Sequence, residues 1–340
     1  MPRKTEPPRA ALNPEKRDQP LLACVLEENG PSLKEIARPE PLADEVLIRV
    51  RVAGICATDL ELIRGYMNFR GVLGHEFVGE VAGPQTHPLL GRRVVGEINC
   101  GCGDCPWCAR GMERHCPERS VLGILDRPGA FAEYTCLPSR NLHVLPDAVE
   151  DEAAVFCEPL AACFEVLEQF PEIVEREVLV IGDGRLGLLQ TQVLHTAGAR
   201  VGLLGRHPEK MALLAPLGIP AWSEPAQAVC SEGEKWPVVV EATGAVEGFS
   251  LAVSKTKPRG VLVLKSTVVS EARLNLSSVV VDEITVLGSR CGPFAPAIRA
   301  LKAGAVRTSA MIHGRFALRN APEALEKACE KGIIKVLLRP

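Results

Sequence analysis

Aromatic side chains are scarce, at 4% of 340 residues, which argues against a large aromatic-lined pocket. Charge of one sign is lacking too. Lys and Arg number 39 against 42 Asp and Glu, a net charge of −3, so nothing in the bulk electrostatics points to nucleic acid or to an anionic membrane surface. No apolar run approaches the roughly eighteen residues that a membrane-spanning helix needs. The first twenty residues carry Pro2, Pro7, Pro8, Pro14 and Pro20 among charges and no apolar core. That composition predicts a disordered tail over 1–20 and no export signal.

Cysteine, by contrast, is abundant, with thirteen residues. Without an export signal this points to a reducing, cytoplasmic setting in which some thiols hold metal. Cys102, Cys105, Cys108 and Cys116 fall in one short stretch, with Cys100 just outside it. Two two-residue gaps and one seven-residue gap let a loop curl around a point. Four thiolates there make a closed tetrahedral site for a structural zinc.

The texture of the chain changes near residue 157. Before it the segments are short and strand-like, including 45–52 and 77–81, and are punctuated by Gly and Pro. After it, apolar strands at 178–181, 201–204, 238–241, 261–264 and 284–287 alternate with helical stretches. That pattern predicts an α/β domain built on a doubly wound parallel sheet. Beyond about Pro293 a helix near 297–303, a strand near Phe316, another helix and a last strand at 333–338 are expected.

The 178–181 strand runs into Gly182-Asp183-Gly184-Arg185-Leu186-Gly187 and then into a helix-like segment. In that context the Gly-x-Gly-x-x-Gly pattern predicts a dinucleotide site. The glycines close the turn and admit the pyrophosphate to the helix N-terminus. At the end of the second strand, where an acid usually binds the ribose 2′-hydroxyl, stand Gly205 and Arg206. Losing the acid removes repulsion against a 2′-phosphate, and a guanidinium pairs with it well. NADP is therefore expected, with NAD as the alternative and with His207 and Lys210 as lesser contacts. The competing reading makes Arg206 a solvated turn residue.

Cys56, His75 and a carboxylate form a mixed S, N and O set suited to a second zinc with an open position. With Gly74-His75-Glu76, the four-cysteine lobe, Gly129-Ala130-Phe131-Ala132-Glu133-Tyr134, Glu158-Pro159-Leu160 and Glu241-Ala242-Thr243-Gly244, the chain resembles the zinc-dependent medium-chain dehydrogenases over about 21–340. The resemblance implies a GroES-like, β-rich catalytic domain at 21–157 carrying the structural lobe at 100–116. It implies a Rossmann domain at 158–292 and a return to the catalytic domain at 293–340. It also implies that Cys56 and His75 are zinc ligands, that Glu76 is a ligand or its neighbour, and that Glu158 is a third protein ligand. Cys157 is expected to point the other way along an extended segment. Thr58 matches the hydroxyl that relays the substrate proton, and Thr243 falls in a cofactor landmark. Many relatives continue the relay through a histidine; here Glu61 stands in that stretch. The expected activity is zinc-assisted interconversion of an alcohol, polyol or sugar with its carbonyl by hydride transfer, with two zinc ions per chain. Its partners would be a small-molecule substrate and further copies of itself in a dimer or tetramer. Two other readings are a non-catalytic nucleotide-binding redox sensor, which the retained reactive groups argue against, and a zinc-free quinone reductase, which both metal sets argue against.

Overall fold

A computed structural model describes residues 20–267 and 274–340. The tail expected at 1–20 therefore falls, except for Pro20, outside the described residues. The chain divides into two units, 1–158 with 312–340, and 159–311.

The first unit is β-rich. Its main sheet has seven strands in the order Leu142–Val144, Arg93–Gly96, Glu76–Gly83, Glu45–Gly54, Lys335–Arg339 and Ile312–Ala317, with Tyr134–Pro138 also joined to Glu45–Gly54. The 45–54 strand is the hub. It pairs antiparallel with 76–83, with 134–138 and with 335–339. Its sequence alternates where one face meets solvent: Arg49 and Arg51 point outward, and Arg51 reaches Asp151 at 2.7 Å. Elsewhere it is buried, which its run of Val, Leu and Ile suits. The register places Gly54 opposite both Glu76 and Leu337. A Cβ on Gly54 would lie 2.5 Å from Val155 and 3.1 Å from polar atoms of Glu76 and Lys335, so only bare backbone fits there.

The second unit carries a six-stranded parallel sheet in the order Ala221–Trp222, Arg200–Leu204, Glu177–Ile181, Trp236–Glu241, Thr256–Leu264 and Thr285–Gly288. In chain order this is 3-2-1-4-5-6, the doubly wound arrangement. The central strands are near-continuous apolar runs because both faces are covered; Val178, Leu179 and Val180 are fully buried.

Two details depart from expectation. The segment after Pro293 stays with the second unit as far as Met311. The Phe294–Lys302 helix and the turn behind it are tied there, with Gln192 accepting from the Arg307 N–H at 2.8 Å and Thr196 donating to the Ala305 carbonyl at 3.1 Å. And Cys157 and Glu158 open the Cys157–Gln169 helix instead of lying in an extended segment.

Candidate active site

The four-cysteine lobe is held by local bonds. The Cys102 and Gly103 N–H groups donate to the sulfurs of Cys116 and Cys108, each at 3.4 Å, and the Cys108 N–H donates to Cys105 Sγ at 3.5 Å. The last of these leads in lowering the Cys105 thiol to about 7. Sulfur–sulfur separations are 3.6 Å for Cys116–Cys102, 3.8 Å for Cys105–Cys116 and 4.0 Å for Cys102–Cys108. A tetrahedron of thiolates about 2.3 Å from a zinc has edges of roughly 3.8 Å, so the donor set fits that ion.

The second cluster is assembled from distant segments. Cys56 ends the turn after the hub strand and caps the Ala57–Ile63 helix. His75 precedes the Glu76–Gly83 strand and Glu76 begins it. The donor atoms of Cys56, His75 and Glu76 lie within 4.8 Å of one another, and all three residues are buried. Asp59, with no exposed surface, sits 3.2 Å from His75 Nδ1 and accepts the Cys56 N–H at 2.7 Å. A carboxylate beside a ring nitrogen is the kind of neighbour that orients a ligating imidazole. Burial alone would lower the His75 pKa, yet the charges of Asp59 and Cys56 hold it well above the ordinary value. Surroundings that favour a proton on His75 favour a metal cation equally, and the sulfur, nitrogen and oxygen donors suit zinc.

Among the remaining candidates, Thr58 is half-buried with its hydroxyl 3.6 Å from Cys56 Sγ. Glu61 lies one turn on, but its carboxylate is engaged by Arg64 at 2.5 Å. Glu158 is half-buried in the first turn of its helix and is not one of the three clustered donors. Cys157 is buried, and that burial raises its thiol pKa.

A residue not foreseen from sequence completes the cluster's surroundings. Lys335, fully buried, donates to Glu76 Oε2 and lies 3.4 Å from the Ile55 carbonyl, with its ammonium 5.3 Å from the centre of the Phe156 ring. The signal was present: one lysine at the head of the otherwise apolar Val336-Leu337-Leu338 run.

In the second unit the three fingerprint glycines have separate jobs. Gly182 has φ +115°, and a Cβ there would lie 2.5 Å from the Ala242 carbonyl. One on Gly187 would lie 1.8 Å from the Gly182 carbonyl, while Gly184 faces open space. Gly184 caps the Arg185–Thr196 helix with no side-chain acceptor for its first N–H groups. A pyrophosphate fits that cradle. Arg185 and Leu186 form the first turn, and Thr243 packs against Gly182 while donating to Glu241 through N–H and hydroxyl at 2.7 and 2.6 Å. Arg206 is exposed; His207 and Lys210 are half-buried nearby. A second unforeseen residue, Asp183, is buried against Gly205, so the end of the second strand is not without an acid.

The chain matches two families of known proteins, the alcohol dehydrogenase GroES-like domain over 42–147 and the zinc-binding dehydrogenases over 186–303. It is 30% identical over 325 residues to D-arabitol-phosphate dehydrogenase of Enterococcus avium, covering 89% of this chain and 92% of that one. It is 36% identical over 237 residues to L-threonine 3-dehydrogenase of Chelativorans sp. (strain BNC1), and the match covers 66% of each chain. Among solved structures it resembles a protein assigned as a zinc-binding dehydrogenase from Sinorhizobium meliloti 1021, bound to NADP. That match has a TM-score of 0.84 at 29% identity and covers 95% of this chain and 100% of the other.

Proposed function

Because the chain belongs to the zinc-dependent medium-chain dehydrogenases, we propose that it interconverts a secondary alcohol, polyol or sugar and its carbonyl by hydride transfer with NADP(H). The observation that carries this is the buried Cys56–His75–Glu76 cluster with a hydroxyl, Thr58, beside it. When bound, zinc supplies a Lewis acid for the substrate oxygen, and the nicotinamide supplies the hydride acceptor or donor. Cys56 and His75 hold the metal, with Glu76 as a third donor or its immediate neighbour. Glu158, outside the clustered three, would be a further ligand only if its carboxylate turned towards them. Asp59, 3.2 Å from His75 Nδ1, would orient the imidazole. The Thr58 hydroxyl relays the proton: in oxidation it would accept from the substrate hydroxyl while passing its own proton on to solvent, and in reduction the transfers run in reverse. Lys335 balances the Glu76 charge in the interior.

The glycine cradle would hold the cofactor's pyrophosphate, and Arg206 would be the residue to meet a 2′-phosphate. Cys102, Cys105, Cys108 and Cys116 would hold a second, structural zinc. The relatives named for threonine and for an arabitol phosphate favour a small hydroxyl-bearing substrate. No helix among the described residues is long and apolar enough to cross a membrane. We place the protein in the cytoplasm, in keeping with its wealth of free cysteines. We assign it a homo-oligomeric state, for which the exposed Val280, Val281 and Val286 by the 285–288 edge strand are the supporting feature.

A panel of secondary alcohols, polyols and sugar phosphates, run with NADP⁺ and NAD⁺ on zinc-loaded protein, tests this. Turnover of at least one class is expected. Tight cofactor binding with no turnover anywhere would favour the sensor reading. Thr58→Val should depress turnover about 10²-fold or more, the usual scale of general acid–base catalysis, with cofactor affinity little changed. An unchanged rate removes Thr58 from the relay.

A further inference from the structure

Asp183 stands where a nucleotide-binding acid belongs, but it arrives from the wrong strand. In a doubly wound sheet the residue closing the second strand carries the carboxylate that takes the ribose hydroxyls. Here that residue is Gly205. A Cβ built on it would lie 2.6 Å from Asp183 Oδ2 and 2.7 Å from Asp183 Cβ. The side chain of the glycine loop has taken the volume that an acid at 205 would need.

Taking the volume is not the same as taking the role. Asp183 Oδ2 accepts the N–H groups of Arg206 and His207, each at 2.6 Å. The His207 ring nitrogen Nδ1 lies 3.0 Å from Oδ1 and 3.1 Å from Oδ2. A carboxylate offers about four lone-pair directions, and these donors claim most of them. The side chain is only 9% exposed. Little acceptor capacity remains for a ribose, and the charge is already met by three N–H donors. What the bonds accomplish is to pin the backbone of residues 206 and 207 and the His207 ring. Arg206, held by its N–H, keeps its side chain in solvent.

We propose that Asp183 is the positioning residue for the cofactor's 2′-phosphate: it reaches from the glycine loop to the end of the second strand, locks the 205–207 turn so that Arg206 is presented to that phosphate, and obliges position 205 to be glycine. The inference rests on the NADP reading above. It makes the fingerprint loop and the specificity turn one mechanical piece, so neither can be exchanged alone.

The test is titration of NADPH and NADH onto the zinc-loaded protein, followed by nicotinamide fluorescence, which needs no substrate. Asp183→Ala is expected to weaken NADPH about tenfold or more, the scale of a lost charge-assisted contact, and NADH much less. Arg206→Ala should reproduce that selective loss. Asp183→Asn keeps volume and an acceptor oxygen, and should retain most of the NADPH affinity. Gly205→Asp alone should weaken both cofactors, because two carboxyl groups meet. The double variant Asp183→Ala/Gly205→Asp should recover NADH binding but not NADPH binding. An NADPH preference that survives or grows in Asp183→Ala overturns the inference while leaving the NADP reading intact. Equal affinity of the unsubstituted protein for the two cofactors overturns both.

Discussion

The two cysteine-bearing clusters of the first unit are built on opposite principles. The lobe draws all its donors from one short loop, is partly open to solvent, and orients its sulfurs with N–H groups of the same loop. The Cys56–His75–Glu76 cluster is buried, mixes charges, and depends on separate strands, including the 335–339 strand that brings Lys335 to Glu76. The lobe is therefore a local object that happens to be attached to a domain. The other cluster is a property of the sheet. Damage to the first should stay local, and damage to the second should reach both catalysis and folding.

The largest effect should come from His75→Ala, which removes the one nitrogen donor. Turnover is expected to fall on the order of 10³-fold or more, since a metal contributes several kcal/mol of charge stabilisation. Metal analysis should lose one ion per chain and keep the other. Loss of both would show the clusters to be coupled and break the contrast. Lys335→Met should come next, because it removes the cation facing the buried Glu76 carboxylate, and breaking a buried pair costs about 3–5 kcal/mol. Urea unfolding checks this, and Lys335→Met with Glu76→Gln should recover much of the loss.

Cys105→Ser probes the other side of the comparison. It should release the lobe's metal to chelators yet cost no more than about tenfold in activity, roughly 1.4 kcal/mol. A collapse equal to that of His75→Ala would deny the lobe its independence. The smallest effect concerns Glu152, which clamps the strands 312–317 and 335–339 through Arg315 and Arg339, each at 2.7 Å. Their hydrogen bonds and charges, Arg315 first, lower its pKa from 4.5 to about 2. A lowered carboxylate pKa stabilises the fold above the unfolded value, and that contribution fades as pH falls from about 4.5 towards 2. Glu152→Gln should flatten the acid limb of the urea midpoint over that window, by less than about 1 kcal/mol as befits a surface network.

Legibility from sequence followed the same divide. The lobe was readable because its ligands are neighbours along the chain. The parallel sheet was readable because buried strands such as Val178–Ile181 are unbroken apolar runs ending at a glycine fingerprint. Cys56 and His75 were named through family motifs, since spacing alone does not bring residues from separate strands together. Lys335 escaped because a lysine in a strand ordinarily marks the solvent face, and only the 335–339 pairing with the hub turns it inward. Asp183 escaped for a related reason. The absence of an acid at 205 was legible, but its replacement came from a residue 22 positions earlier, joined to the turn by hydrogen bonds at 2.6 Å. The crossing back at residue 312 instead of 293 was set by bonds such as Gln192 to Arg307, which no local pattern announces.

The hub pairing has a consequence in time. Closing a short loop is entropically cheap, and the lobe's four sulfurs are within reach of one another as soon as that stretch leaves the ribosome. The buried cluster must wait for Lys335, whose contact with the Ile55 carbonyl spans 280 positions of chain. A nascent chain should thus complete its two donor sets in a set order, the four-cysteine lobe first and the surroundings of the buried cluster only after the 335–339 strand has docked. The 335–339 strand thus has the last word on the surroundings of a site that begins at residue 56.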